Sequence, residues 1–168
     1  MRQLLVVRHA IAEDAAEWAR AHPDDAGRPL TTEGRKKMKR VAAALRSLVP
    51  DIQLLATSPL TRAVETAEIV AAAYDGLDAV VVPVLAPGQL AADVTRWLAG
   101  ERRHDTVAIV GHEPGLSRAV SWLLAGSERP FVEIKKGAAL LLAFPDAVDA
   151  AAATLEWALT PSQLRGLA

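Results

Sequence analysis

Short apolar runs alternate along the chain with longer stretches in which apolar residues recur every three or four positions. The runs in Gln3 to Val7, Asp51 to Ala56 and Thr106 to Val110 are typical of strands, and the interior of the last one is fully apolar. Between the first two runs, a helix that begins near Thr31 and Thr32 carries an apolar stripe formed by Met38, Val41, Leu45 and Leu48. This alternation predicts an α/β domain with a mainly parallel sheet.

Further helices and one edge strand are predicted between and after these runs. Residues 10–30 form a long polar connection with a possible short helix around Glu13 to Ala21. A connection of this length is usually functional or mobile. After the second strand, Ser58 is suited to cap a helix that runs from Pro59 to about Tyr74. The elements that follow are an edge strand over Ala79 to Val82, a helix over residues 89–99 and a helix opened by Pro114.

One glycine lies inside a predicted helix. Gly34 follows the helix start near Thr31 and Thr32, and glycine within a helix costs about 1 kcal/mol relative to alanine. A close approach of another backbone segment to this position would explain the glycine.

The C-terminal part of the chain has a different pattern. The segments Phe131 to Ile134, Gly137 to Phe144 and Thr154 to Leu159 are typical of two or three strands, with no helix between them. Consecutive strands without a crossover helix predict an antiparallel pair at the edge of the sheet. We therefore expect residues 1–168 to form a single domain, a three-layer α/β/α sandwich whose mainly parallel central sheet has an antiparallel edge.

Composition narrows the class of function. The formal net charge is −1 and no basic run exceeds Arg35-Lys36-Lys37, so nucleic acid is not an expected partner. No apolar stretch reaches the length of a membrane span or a signal-peptide core, and we expect a cytoplasmic protein. The chain has no cysteine, which excludes disulfides, cysteine-rich zinc sites and a thiolate nucleophile. The glycine-rich loops that bind nucleotides are also absent.

Polar residues suited to phosphate chemistry follow three of the predicted strands. Arg8 and His9 directly follow the first strand, Arg62 lies in the first turn of the helix after the second, and His112 follows the run that ends at Val110. The carboxyl ends of parallel strands and the helix N-termini beside them attract anions. Arginine offers a planar fork of donors, and neutral histidine offers a nitrogen nucleophile. These residues predict a site for a dianionic phosphoryl group that needs no metal ion or other cofactor, because side chains supply the charge.

Four motifs in this order give the chain a specific resemblance. They are Val7-Arg8-His9-Ala10, Arg28-Pro29-Leu30-Thr31 with Gly34, Ser58-Pro59-Leu60-Thr61-Arg62-Ala63 with Glu65-Thr66-Ala67, and Gly111-His112-Glu113-Pro114. Together they resemble the histidine phosphatase superfamily, which has the phosphoglycerate mutase-like fold. Within it, the chain is most similar to the small SixA-type phosphohistidine phosphatases, and the segment from Leu155 through Pro161 shares that similarity.

The resemblance implies a role for each residue of the predicted site. His9 would attack phosphorus and carry a transient phosphohistidine, while Arg8, Arg62 and His112 would hold the phosphoryl oxygens. The attacking nitrogen of His9 must then be unprotonated, with the other ring nitrogen held by a backbone acceptor. His112 would serve better as a cation, because it would then both donate a hydrogen bond and add charge.

The proton donor and the substrate class are less well specified. Glu113, Glu13 and Asp14 are the candidate acids or substrate contacts. Phosphohistidine has a nitrogen leaving group that depends little on a strong acid, and little chain remains to build a lid, so we expect phosphohistidine on a protein partner. The alternatives are a small-molecule phosphoester phosphatase or mutase of the same fold, and a non-catalytic module that binds a phosphorylated ligand. His9 argues against such a module, because binding alone needs no nucleophile.

Overall fold

A single six-stranded sheet organises the protein, which a computed structural model describes over residues 1–168. The strands lie in the order β3-β2-β4-β1-β5-β6. Their bounds are β1 Arg2–Arg8, β2 Leu54–Thr57, β3 Ala79–Val81, β4 Thr106–Gly111, β5 Ala139–Phe144 and β6 Thr154–Leu159. The first four run parallel, while β5 pairs antiparallel with both β1 and β6. The predicted mainly parallel sheet with an antiparallel edge is confirmed.

Helices cover both faces of this sheet. Their bounds are α1 Ala15–Ala21, α2 Thr32–Leu48, α3 Thr61–Ala71, α4 Ala91–Gly100, α5 Gly115–Ala125 and α6 Pro161–Gly166. Successive side chains of a strand point to opposite faces, so each buried strand contributes to two apolar layers. On β1, Leu5 and Val7 pack in the layer with α2, α3 and α6, whereas Leu4 and Val6 pack with α4 and α5. None of these helices combines the length and the apolar character needed to cross a bilayer.

The structure differs from the sequence-based expectation at three places. Phe131 to Ile134 forms no strand, because β6 occupies the edge of β5 at which such a strand would pair. The pattern did not predict α6, which begins with a capping box between Thr160 and Gln163. The prediction that Ser58 caps a helix starting at Pro59 is wrong, since α3 begins at Thr61 with Leu60 as its N-cap residue.

The close backbone approach predicted at Gly34 is confirmed. A Cβ atom placed on this residue would lie 2.1 Å from the carbonyl oxygen of Ile11. The same carbonyl accepts a hydrogen bond of 3.0 Å from the backbone nitrogen of Thr31. Thr31 in turn caps α2, because its Oγ1 accepts a hydrogen bond of 2.8 Å from the Gly34 nitrogen. The segment after β1 therefore lies directly against the first turn of α2.

The sheet order brings the carboxyl ends of three strands together. β4 lies between β1 and β2, and its register pairs Gly111 with Arg8 and Val110 with Thr57. The next residues along these strands are His9, Ser58 and His112. With α2 and α3 packed on one face and α5 on the other, these residues lie at the sheet edge where open α/β folds bind ligands.

Candidate active site

His9 is held in the protonation state that a nucleophile requires. Its Nδ1 lies 2.7 Å from the carbonyl oxygen of Ala10. A carbonyl can only accept a hydrogen bond, so Nδ1 carries the ring proton and Nε2 keeps a free lone pair. Burial, assisted by the charges of Arg62 and Arg8, lowers the pKa of His9 to about 3. The ring is therefore neutral at physiological pH, and the predicted backbone acceptor is present.

The two predicted phosphate-binding arginines are oriented by backbone carbonyls. Arg8 Nη1 donates a hydrogen bond of 2.9 Å to the carbonyl of Ile134. Arg62 Nη1 donates to the carbonyl of Asp25 at 3.2 Å and lies 3.1 Å from its carboxylate. Burial lowers the pKa of both guanidinium groups. Both remain cations, because arginine does not lose its proton in proteins.

His112 lies beside His9, with 5.1 Å between the ring centroids. Its Nε2 is 2.7 Å from Oγ of Ser58. Burial, together with the charges of Arg62 and Arg8, lowers the pKa of His112 to about 4. In the protein by itself His112 is therefore a neutral ring and not the cation that would serve phosphate binding better, because a positive ring would be buried beside two positive arginines.

Three nitrogens of these residues share an unusual property. Five buried side-chain atoms in the protein have no hydrogen-bond partner, and three of them are Arg8 Nε, Arg62 Nε and His112 Nδ1. Buried polar atoms are nearly always paired, since an unpaired one costs roughly 1–3 kcal/mol. Both guanidinium nitrogens are N–H donors, so the group best suited to satisfy them is an acceptor such as an anionic oxygen.

Glu65 and Thr66, two residues of the motif on α3, hydrogen-bond to segments that surround the site. Thr66 Oγ1 accepts a hydrogen bond of 3.0 Å from the Ala10 nitrogen and donates one of 2.7 Å to the Arg62 carbonyl. The Glu65 carboxylate accepts from the Leu30 nitrogen at 2.7 Å and from Arg35 at 2.6 Å. Thr66 therefore links Ala10, the residue after His9, to the helix that carries Arg62.

Sequence reasoning missed Asp25 as a site residue. Its carboxylate accepts a hydrogen bond of 2.7 Å from Arg28 Nε and also contacts Arg62. The hydrogen bond from Arg28, helped by the charge of Arg62, lowers the pKa of Asp25. The one feature of the sequence that could have indicated Asp25 is its position in the long polar connection over residues 10–30. Ser58 was also missed, although it follows β2 just as His9 follows β1.

The three candidate acids occupy different positions. Glu113 follows His112, and its Oε1 accepts a hydrogen bond of 2.9 Å from the Ser117 nitrogen in the first turn of α5. The Asp14 carboxylate caps α1, and the exposed Glu13 side chain makes no hydrogen bond or ion pair with a predicted site residue. Only Glu113 is thus brought next to a predicted phosphate-binding residue. No three His, Asp or Glu side chains are grouped closely enough to hold a metal ion.

Comparison with known proteins identifies the family. A profile of the histidine phosphatase superfamily (branch 1) matches residues 4–86. An uncharacterized protein of Picosynechococcus sp. is 37% identical over 138 residues, which cover 80% of each chain. The chain belongs to the histidine phosphatase superfamily.

Solved structures confirm the phosphoglycerate mutase-like fold. The protein histidine phosphatase SixA, complexed with tungstate, matches with a TM-score of 0.81 and 25% sequence identity, over 96% of this chain and 99% of that one. A putative α-ribazole-5′-P phosphatase of Escherichia coli matches with a TM-score of 0.76 and 15% identity, over 96% of this chain and 98% of that one. The fold is thus shared by phosphatases named for different substrates.

Proposed function

We propose that this protein hydrolyses phosphohistidine on a protein partner, with His9 as the nucleophile and without a metal ion. The observation that carries the proposal is the set of three unpaired buried nitrogens on residues that neighbour His9, whose own Nε2 is free. The two arginines and His112 act together as a receptor for the phosphoryl oxygens. A module that only bound phosphate would gain nothing from the free Nε2, so this nitrogen supports catalysis.

The reaction proceeds in two displacements at phosphorus. First, the Nε2 lone pair of His9 forms a P–N bond while the P–N bond to the substrate imidazole breaks. The departing imidazole keeps the bonding pair, and it leaves neutral when its other nitrogen already carries a proton. Water then attacks the phosphorus of the His9 adduct and releases a proton to the solvent, while the electron pair of the broken P–N bond returns to Nε2 and inorganic phosphate leaves. Arg8, Arg62 and His112 stabilise the charge on the oxygens in both steps.

Two structural features support a protein-borne substrate. The connections that follow β2 and β4 are short, since α3 begins at Thr61 and α5 at Gly115. They contribute no lid over the carboxyl ends of these two strands, which favours a substrate group that projects from a partner. In addition, the Glu113 carboxylate is already engaged by the Ser117 nitrogen, which suits a leaving group that needs little acid assistance.

The nucleophile is tested by substitution. We expect His9→Ala to lower turnover by more than about 100-fold, since loss of a covalent nucleophile removes the main reaction path. Quenched wild-type enzyme should hold acid-labile phosphate, and the variant should hold none. The matched control is His22→Ala, which removes an exposed histidine and should retain wild-type activity. Turnover by His9→Ala within tenfold of the wild type would refute the assignment.

The substrate class is tested with a phosphohistidine-bearing protein and a panel of small phosphoesters, assayed on one enzyme preparation. We expect the phosphoprotein to be the preferred substrate and its hydrolysis to survive exhaustive chelation. Efficient hydrolysis of a small ester, with the phosphoprotein ignored, would favour the small-molecule alternative. Activity that chelation removes and magnesium or zinc restores would contradict a metal-independent mechanism.

A further inference from the structure

Ser58 occupies a position in the site that is unrelated to helix capping. It follows β2, its side chain is fully buried (0% exposed), and its Oγ lies 2.7 Å from Nε2 of His112. The same oxygen accepts a hydrogen bond of 3.3 Å from the Leu60 nitrogen. The hydroxyl therefore has two partners, a backbone donor and a histidine nitrogen.

Counting protons decides the direction of the bond to His112. A serine hydroxyl has one proton to donate and two lone pairs that accept. If Nε2 of His112 carried its proton, Ser58 would accept from both neighbours, and its own proton would be buried without an acceptor. If Nε2 is bare, Ser58 donates to it and accepts from Leu60, so that all three groups are satisfied. The second arrangement is favoured because buried polar groups are rarely left unpaired.

This direction fixes where the proton of a neutral His112 lies. With Nε2 accepting, the ring proton must be on Nδ1, which is the buried nitrogen without a partner in the protein. An Nδ1–H group attracts a phosphoryl oxygen, whereas a bare Nδ1 would present a lone pair and repel it. The tautomer thus decides whether a neutral His112 helps or hinders phosphate binding.

We infer that Ser58 is a positioning residue that holds His112 in the Nδ1–H tautomer, so that the neutral ring donates a hydrogen bond to the phosphoryl group. This inference rests on the proposed function for the identity of the ligand, but the tautomer itself is a property of the protein alone. Ser58 need not touch the substrate, because it acts through His112.

The tautomer can be measured without turnover. In ¹⁵N-labelled protein, long-range ¹H–¹⁵N correlation spectra distinguish a protonated Nδ1 from a protonated Nε2. We expect the Nδ1–H form for His112 in the wild type and in Ser58→Thr, which keeps the hydroxyl. Ser58→Ala should lose this preference and bind inorganic phosphate about tenfold more weakly, the equivalent of one hydrogen bond. Ser121→Ala is the matched control, since Ser121 is also fully buried but its hydroxyl has no partner.

The outcomes separate this inference from the proposed function. An Nε2–H tautomer in the wild type, or a Ser58→Ala variant that keeps both the Nδ1–H form and full phosphate affinity, overturns the inference. Should Ser58→Ala fail to fold, the wild-type spectrum and Ser58→Thr still decide the tautomer. If His9 never becomes phosphorylated while His112 is in the Nδ1–H form, the proposed function fails and the role of Ser58 stands.

Discussion

The two site histidines offer different groups to a ligand although both are neutral at physiological pH. His9 donates a hydrogen bond from Nδ1–H to the Ala10 carbonyl and keeps Nε2 free, whereas Nε2 of His112 is hydrogen-bonded to Ser58. Burial and the neighbouring arginines lower the pKa of both rings, to about 3 and about 4. In the proposed mechanism, His9 therefore needs no deprotonation before it attacks phosphorus.

Glu113 is the one candidate acid whose contribution depends on the substrate. In the proposed reaction, Glu113→Gln should change phosphohistidine hydrolysis little, because imidazole leaves without strong acid assistance. If Glu113 is the donor for esters, the same change should slow hydrolysis of an alkyl phosphoester by about 10²–10⁴-fold. Rates for both substrates are measured on one preparation, and glutamine can still accept the Ser117 hydrogen bond.

Glu13→Gln and Asp14→Asn are parallel controls for Glu113, because neither carboxylate makes a hydrogen bond or ion pair with a proposed phosphate-binding residue. We expect both variants to retain wild-type rates on either substrate. Equal slowing of the two substrates by Glu113→Gln would instead indicate a binding or structural role for Glu113.

At the scale of elements, the site depends on how the segment after β1 is held against α2 and α3. Thr31 and Gly34 contact Ile11 from the start of α2, Thr66 holds Ala10 from α3, and Glu65 holds the Leu30 nitrogen beside Thr31. These four residues touch no reacting atom in the proposed mechanism. They fix the backbone around Ala10, whose carbonyl sets the protonation of His9.

Gly34→Ala tests this packing. Because its Cβ would lie 2.1 Å from the Ile11 carbonyl oxygen, we expect the free energy of unfolding to fall by roughly 1–3 kcal/mol, the usual cost of overpacking. Urea denaturation gives the measurement. Gly100→Ala is the control, since that glycine also lies in a helix but a Cβ there meets nothing within 4 Å. A loss of stability in Gly34→Ala no larger than in Gly100→Ala would contradict the steric explanation.

At the scale of the whole molecule, the buried histidines make stability depend on pH. An unfolded histidine has a pKa near 6.5, whereas His9 and His112 have folded pKa values of about 3 and about 4. Below pH 6.5 the unfolded chain therefore binds more protons, so stability falls as the pH falls towards 4. Between pH 6.5 and 5 the loss is roughly 2 kcal/mol for each histidine, at about 1.4 kcal/mol per pH unit.

The His112→Asn variant isolates one of these contributions. We expect its unfolding free energy to fall less between pH 7 and pH 5 than that of the wild type, by roughly the contribution of one histidine. Chemical denaturation at the two pH values is the measurement. This range lies above the pKa of Asp25, which its arginine partners lower, so that carboxylate does not contribute to the difference. Equal losses in both proteins would mean that His112 is not buried as a neutral ring.

The sequence by itself determined most elements of this protein and the polar residues at their ends. Strand and helix periodicities are local, and therefore the pattern located β1, β4 and α2 and showed that Arg8, His9, Arg62 and His112 lie where strands end or helices begin. The pattern did not predict α6, because this short helix is defined by its capping residues and not by an apolar stripe.

The tertiary structure alone decided the chemistry of the site. The pKa of His112 depends on burial and on Arg62 and Arg8, which lie far from it in the sequence. Ser58 and Asp25 join the site through contacts with residues 54 and 37 positions away, respectively. Protonation states depend on distances between charges and on exclusion of water, and these exist only once the sheet has brought the strand ends together.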